Sequence, residues 1–204
     1  AGPLLVRPAV PAEAAAVAAL AEATFRESWQ DFNSASDMDA YVEANFRREH
    51  VARDLATPGV QLLVAEAGGP PFGYLRWLPG GAPGIAGERP AEISRLYVCR
   101  EHHGRGVGPA LMHACLRRAA LAGHDVAWLA VWQRASQAIA FYRKRRFEIA
   151  GETTFRLGQD RQADWLMHRP LGDFAATVVS RRFRDGDEAA VAALFRETVT
   201  RIAR

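Results

Sequence analysis

The chain has 204 residues, a formal net charge of +3 at pH 7, 49% hydrophobic residues and 24% charged residues. This length and balance fit one folded domain with part of a second, and they exclude a disordered chain or a small disulfide-held scaffold. No apolar run reaches the roughly 18 residues of a membrane span, and no secretory signal pattern stands at the start. We therefore expect a cytoplasmic protein with reduced thiols at Cys99 and Cys115, and the mild positive charge does not by itself predict binding to nucleic acid or membranes.

The first 80 residues alternate short apolar runs with helical patterns. Pro11 suits the first turn of a helix because its missing N–H has no partner there. Ser36-Asp37-Met38-Asp39 resembles a capping box, in which a serine and an acid three residues later begin a helix. In chain order we predict a strand over 4–7, a helix from Pro11 to Trp29, a helix through Tyr41 and Phe46, a short helix before Thr57, and a hairpin of strands over 60–66 and 72–78.

The rest of the chain to residue 169 predicts further alternation. A strand, a helix and a second strand over 91–132 should form a parallel unit with a right-handed crossover. In chain order the elements are a strand over 91–98, a helix over 109–121, a strand over 126–132, a short helix over 136–145, and strands over 147–156 and 162–169. The fold class is therefore α/β with a mixed sheet.

A glycine-rich turn joins the strand over 91–98 to the next helix. It reads His103-Gly104-Arg105-Gly106-Val107-Gly108-Pro109. Glycines let the backbone approach an anion closely, and free amides at a helix N-terminus attract phosphate. The turn lacks the lysine of a nucleoside-triphosphate loop, and its glycine spacing departs from the dinucleotide fingerprint. Coenzyme A is the third class of pyrophosphate ligand that fits such a turn.

Two motifs together resemble the GCN5-related N-acetyltransferase (GNAT) superfamily. His103 to Gly108 is similar to its acetyl-CoA signature Arg/Gln-x-x-Gly-x-Gly/Ala, with His103 in place of Arg or Gln. Ala138-Ile-Ala-Phe-Tyr142, followed by Arg146-Phe147, is similar to the second motif, in which Arg146 replaces a glycine and Ala135 an asparagine. The resemblance covers residues 1–171. The segments 24–29 and 155–167 are similar to the PaiA-type polyamine acetyltransferases, and this similarity favours a small amine as the acceptor.

The resemblance implies a twisted mixed sheet of about seven strands with a V-shaped opening between the fourth and fifth strands. Acetyl-CoA would lie in this opening. The backbone of the fourth strand would pair with its pantetheine arm, and the glycine turn would hold its pyrophosphate. The cofactor-binding residues that the resemblance implies are Leu96, Tyr97, Val98, His103, Gly104, Arg105, Gly106, Val107, Gly108, Pro109, Ala135, Phe141 and Tyr142.

The resemblance also implies direct attack of an amine on the thioester, without a metal. Glu92 is the candidate base, and a strand-edge carboxylate paired with an arginine is its structural alternative. Tyr142 is the candidate acid for the leaving thiolate, and a core tyrosine is the alternative. The substrate-binding candidates are Phe25, Trp29, Tyr41, Glu92 and Trp132. The expected acceptor is a small amine or polyamine; the alternatives are a protein N-terminus or lysine, or a non-catalytic acyl-CoA-binding module.

Residues 172–204 follow the expected domain as an extension. Ala190 to Leu194 has the same sequence as Ala16 to Leu20, which fits either a truncated second copy of the fold or a chance likeness of two alanine-rich helices. The apolar face of such a helix would pack on the domain or on a second copy of the chain. A homodimer is therefore one of the two arrangements that we expect.

Overall fold

The computed structural model describes residues 2–157 and 160–175, and they form a seven-stranded sheet with helices on both faces. The expected mixed α/β sheet is confirmed. The strands are β1 (Leu5–Pro8), β2 (Gln61–Glu66), β3 (Gly73–Pro79), β4 (Pro90–Val98), β5 (Val126–Trp132), β6 (Glu148–Leu157) and β7 (Asp160–Pro170). The helices are α1 (Ala14–Trp29), α2 (Ala35–Asn45), α3 (Arg48–Ala56), α4 (Val107–Leu121), α5 (Ser136–Arg143) and α6 (Gly172–Ala175). None of these helices is both long and apolar enough to cross a membrane.

The strand order is β1-β2-β3-β4-β5-β7-β6, and β4 and β5 form a parallel pair. This pair is short, because β4 meets β5 only over Pro90–Glu92 and Val126–Trp128. Next to it, the register of β3 and β4 shifts by one residue, which leaves Ser94 without a partner on β3. Such a bulge bends and twists a strand. The bulge lies where β4 leaves β5, so the strands open as a V at their carboxyl ends.

The alternation of side chains along the strands divides the core between the two faces of the sheet. One face packs against α4 and α5, and its core includes Leu75, Leu111 and Met167, which are almost completely buried. The other face packs under α1, α2 and α3, and its core includes Val64 and Phe25. The opening between β4 and β5 therefore connects the two faces.

Two helix starts differ from the sequence prediction. The N-cap of α2 is Ser34, whose hydroxyl accepts from the Asp37 amide at 3.2 Å, so the prediction of a capping box beginning at Ser36 was two residues late. This register buries Met38 and Val42 against the core. The helix α4 begins at Val107, two residues before the predicted Pro109, which then lies within the first turn, where its missing N–H costs nothing.

The end of β7 is tied to the helical face. Arg169, which is buried, donates to the Arg145 carbonyl at 2.9 Å and to the carboxylate of Asp173 in α6. Phe174 packs against His113 of α4, with ring centroids 5.5 Å apart. The start of the extension therefore rests on the domain. The internal likeness noted above falls on residues 190–194, which lie outside the described residues, so it stays a prediction.

Candidate active site

The glycine turn between β4 and α4 has the backbone shape that an anion site requires. Gly104 and Gly106 have φ of +74° and +80°, and a Cβ on either would meet no atom within 4 Å. Gly106 is the N-cap of α4, so the first amides of that helix remain without intrahelical partners. This space beside free amides and positive helix-dipole charge fits the pyrophosphate of coenzyme A.

The third glycine of the turn, Gly108, serves packing. A Cβ at Gly108 would lie 3.3 Å from the Phe141 ring, which holds α5 against the start of α4. The Arg145 guanidinium lies over this ring, 3.5 Å from its centroid. The two motifs of the sequence thus meet through Gly108 and Phe141.

His103 links the glycine turn to the end of β4. Its Nε2 lies 2.8 Å from the Val98 carbonyl oxygen, so the ring joins the turn to the strand. This contact gives the histidine a positioning role at the place where the signature has Arg or Gln. Arg105 is an exposed residue of the turn, where its charge can reach a phosphate.

A cavity of about 800 Å³ runs through the opening between β4 and β5 and under α1 and α2. Ligand sites commonly have volumes of about 300–1,000 Å³. All five predicted substrate-binding residues line it, together with six of the predicted cofactor-binding residues, namely Leu96, Tyr97, Val98, His103, Ala135 and Tyr142. The turn residues 104–109 and Phe141 lie outside its lining.

Aromatic rings form the wall of the cavity on the side of α1 and α2. Phe25 stacks on Tyr41, with centroids 4.6 Å apart, and Trp29 lies 5.8 Å from Trp132. The Trp29 indole N–H donates to the Tyr97 hydroxyl at 3.1 Å. Burial raises the pKa of Tyr97 to about 12, so this hydroxyl stays protonated. Electron-rich ring faces of this kind attract cations.

Tyr142 lies on α5 where the cavity passes the opening. Burial is the main cause that raises its pKa, and the nearby Tyr97 adds to the shift. A phenol with a raised pKa stays protonated at neutral pH, which is the state required of an acid. Its ring packs against Phe141 and Phe147, with centroid distances of 5.3 and 5.9 Å.

Glu92 enters the same cavity from β4. Burial raises the pKa of its carboxyl, and the charges of Arg76 and Arg95 oppose that shift. Arg76 is held by Asp54 at 2.7 Å, and Arg95 lies over the Phe46 ring, so neither forms an ion pair with Glu92. The expected alternative of a carboxylate paired with an arginine is therefore not observed in the described residues. A partly buried carboxylate with a raised pKa is suited to accept a proton.

Asp164 is a residue of the cavity that the sequence prediction missed. It lies on β7 directly opposite Trp132 and is 7% exposed. Its Oδ1 has no hydrogen-bond partner among the described residues, and burial raises the pKa of the carboxyl from 3.8 to about 6. The sequence does show an acidic residue among apolar residues on a predicted strand. The orientation of its side chain toward the cavity, however, depends on the pairing of β7 with β5.

The comparisons with known proteins agree with this geometry. The profile of the acetyltransferase (GNAT) family matches residues 18–147. An uncharacterised N-acetyltransferase of Mycobacterium bovis is 34% identical over 76% of this chain and 96% of its own length. An uncharacterised N-acetyltransferase of Lactobacillus delbrueckii subsp. lactis is 29% identical over 75% of this chain and 89% of its own length.

Among solved structures, the PaiA N-acetyltransferase of Thermoplasma acidophilum in complex with coenzyme A has the same fold. Its TM-score is 0.65 at 16% identity, over 82% of this chain and 99% of the PaiA chain. Because the family profile covers more than half of the chain and the mycobacterial relative aligns over nearly its whole length, the chain belongs to the GNAT family of acetyltransferases, whose general chemistry is acetyl-CoA-dependent acyl transfer.

Proposed function

We propose that the protein transfers the acetyl group of acetyl-CoA to a small primary amine by direct attack. The observation that carries this proposal is the acceptor side of the cavity, where aromatic rings surround carboxylates that have no cationic partner in the described residues. Rings and buried carboxylates both favour a cationic ligand. A protein acceptor would need a groove open to an extended backbone, whereas here α1 and α2 cover the site.

The residues of the opening fit the acyl donor. Amides at Gly104–Val107 would hold the pyrophosphate, and the part of β4 that β5 leaves unpaired would bind the pantetheine arm as an added strand. Bound acetyl-CoA supplies the activated thioester. The cavity under α1 and α2 would then bring the amine next to the thioester, and such positioning accounts for much of the rate of a two-substrate reaction.

Proton transfers are assigned to two side chains. An alkylammonium has a pKa near 10.4, so Glu92 accepts its proton, directly or through water, before the nitrogen attacks. The Val98 amide donates to the carbonyl oxygen as negative charge develops there. Tyr142 donates its proton to the departing sulfur, and its phenolate then takes the second proton from the acylated nitrogen, so the products are the amide, the free thiol and a neutral Tyr142. Burial makes the Glu92 carboxylate more basic and keeps the Tyr142 phenol neutral, and the two assignments use these effects.

The proposal is tested by following free thiol release from acetyl-CoA with a panel of acceptors. The panel contains alkylamines, diamines, spermidine, an aminoglycoside, amino acids and short peptides. Turnover with small amines and none with peptides is the expected result. Turnover confined to peptides would overturn the amine assignment, and acetyl-CoA binding without turnover on any acceptor would indicate a binding module.

A further inference from the structure

Asp164 is a buried carboxylate that the proposed chemistry does not use. It is 7% exposed, its Oδ1 has no hydrogen-bond partner in the described part of the chain, and it borders the cavity. A buried acceptor without a partner destabilises a folded protein unless something else supplies the partner. The cavity is the place from which such a partner can reach it.

The cationic side chains that line the cavity have other contacts. Arg76 is held by Asp54, Arg95 contacts Asn45 and the Phe46 ring, and the Arg100 guanidinium donates to the Glu27 carbonyl at 2.9 Å. A further cation, Arg134, is exposed and lies over Trp132 at 5.6 Å from the ring centroid. None of the four arginines forms an ion pair with Asp164, so its negative charge is available to a ligand.

The register of the sheet places Asp164 away from the candidate base but on the same face. Glu92 pairs with Trp128 on β5, and Trp132 pairs with Asp164 on β7. Trp128 and Trp132 are four residues apart, so they point to one face and are about 13 Å apart along the strand. Glu92 and Asp164 therefore lie at two separate points of one cavity.

We propose that Asp164, with the ring of Trp132 opposite it, forms a subsite that binds a second, non-reacting cationic group of the acceptor amine. This inference rests on the proposed function and specifies its substrate. An ammonium at this point pairs with the Asp164 carboxylate and contacts an aromatic face, while the other nitrogen lies nearer to Glu92. Asp164 thus determines specificity and takes no part in proton transfer.

The test compares alkylamines with diamines of equal chain length, such as butylamine with 1,4-diaminobutane. In the wild-type chain we expect a kcat/KM for the diamine that is at least about tenfold higher, since a hydrogen bond to a charged group has that effect on binding. Asp164→Asn keeps the side-chain shape and should reduce this advantage about 10- to 100-fold, through KM, with little effect on butylamine. Asp31→Asn, which removes an exposed carboxylate outside the cavity, is the matched control.

Binding without turnover gives an independent result. Calorimetry of 1,4-diaminobutane with the chain saturated with coenzyme A should show binding that Asp164→Asn weakens and Asp31→Asn does not. Equal diamine binding by the wild type and Asp164→Asn would overturn the subsite. A loss in Asp164→Asn that appears in kcat with both amines would also overturn it, because that result assigns Asp164 to the chemistry. Diamine binding that depends on Asp164 but gives no acetylation would leave the subsite supported and refute the proposed function.

Discussion

Tyr142→Phe removes the hydroxyl assigned to the departing sulfur and little else. The ring keeps its contacts with Phe141 and Phe147, so the fold and the acyl-donor site should persist. A thiol has a pKa near 8.5 and a free phenol one near 10, so proton transfer from tyrosine to a thiolate is uphill by about 2 kcal/mol. Burial raises the pKa of Tyr142 further and increases that cost.

This energetic cost places the contribution of Tyr142 at the lower end of the range for general acids. We expect kcat to fall about 100-fold, equivalent to about 2.7 kcal/mol of activation free energy. The loss should be constant between about pH 6 and 9, because a phenol whose pKa lies above its ordinary value near 10 does not ionise there. The assay is free thiol release with a saturating amine, alongside calorimetry of acetyl-CoA, whose Kd should change less than about twofold.

Tyr74→Phe is the matched control for the loss of a tyrosine hydroxyl. Tyr74 is 1% exposed, and its hydroxyl has no hydrogen-bond partner in the described residues. Its removal should leave turnover unchanged and raise the free energy of unfolding by about 1 kcal/mol. The reasoning about Tyr142 would be refuted if Tyr142→Phe kept kcat within about threefold, or if its whole effect lay in acetyl-CoA affinity.

Three further predictions follow from the glycine turn, from the positive φ of Arg146 and from the buried carboxyl of Asp164. Gly106→Ala should weaken acetyl-CoA binding at least about tenfold by calorimetry, because its Cβ would occupy the anion space. Gly68→Ala, with a similar φ of +81° in the turn between β2 and β3, should share the strain and keep the affinity. Arg146 has a φ of +62°, so Arg146→Gly should raise the free energy of unfolding by about 1 kcal/mol in urea titrations, and Arg146→Ala, which keeps the Cβ, should not. Since burial raises the pKa of Asp164 from 3.8 to about 6, the folded chain binds this proton more tightly than the unfolded chain, and the free energy of unfolding should fall by about 3 kcal/mol as pH rises through that interval. Asp164→Asn should abolish this part of the decline in urea titrations from pH 4 to 7; an unchanged slope would contradict the assignment.

The elements that the sequence predicted well are those fixed by local signals. Glycines at 104 and 106 require a left-handed backbone, and the apolar strand before them leads into a helix, so the turn could be located from residue types alone. The replacement of the motif's glycine by Arg146 could also be recognised in the sequence. The φ of +62° at Arg146 shows why glycine suits that position. The cap of α2 was harder, since Ser34 and Ser36 both stand three residues before an aspartate. Burial of Met38 selects Ser34, and that burial is a tertiary effect.

The missed feature depends on contacts between distant parts of the chain. Asp164 is buried because β7 pairs with β5 and because Trp132 lies opposite it. The sequence pattern predicts that alternate residues of β7 share a face, but it does not say what covers that face. His103 is similar, since its link to Val98 exists only once the turn folds back on the strand. Features of this kind follow from topology and register, which local patterns leave open.

The short contact between β4 and β5 divides the sheet into two half-sheets, which are joined along a narrow boundary. Among the residues that the structure describes, four strands lie on one side of this boundary and three on the other, and only three residue pairs join them. Because the pantetheine arm carries two amides, an acyl donor bound between the strands as proposed would extend the hydrogen-bonded ladder beyond Trp128. Part of the binding free energy would then fix the angle between the half-sheets, so the affinity for the donor and the shape of the acceptor side would be coupled through the backbone.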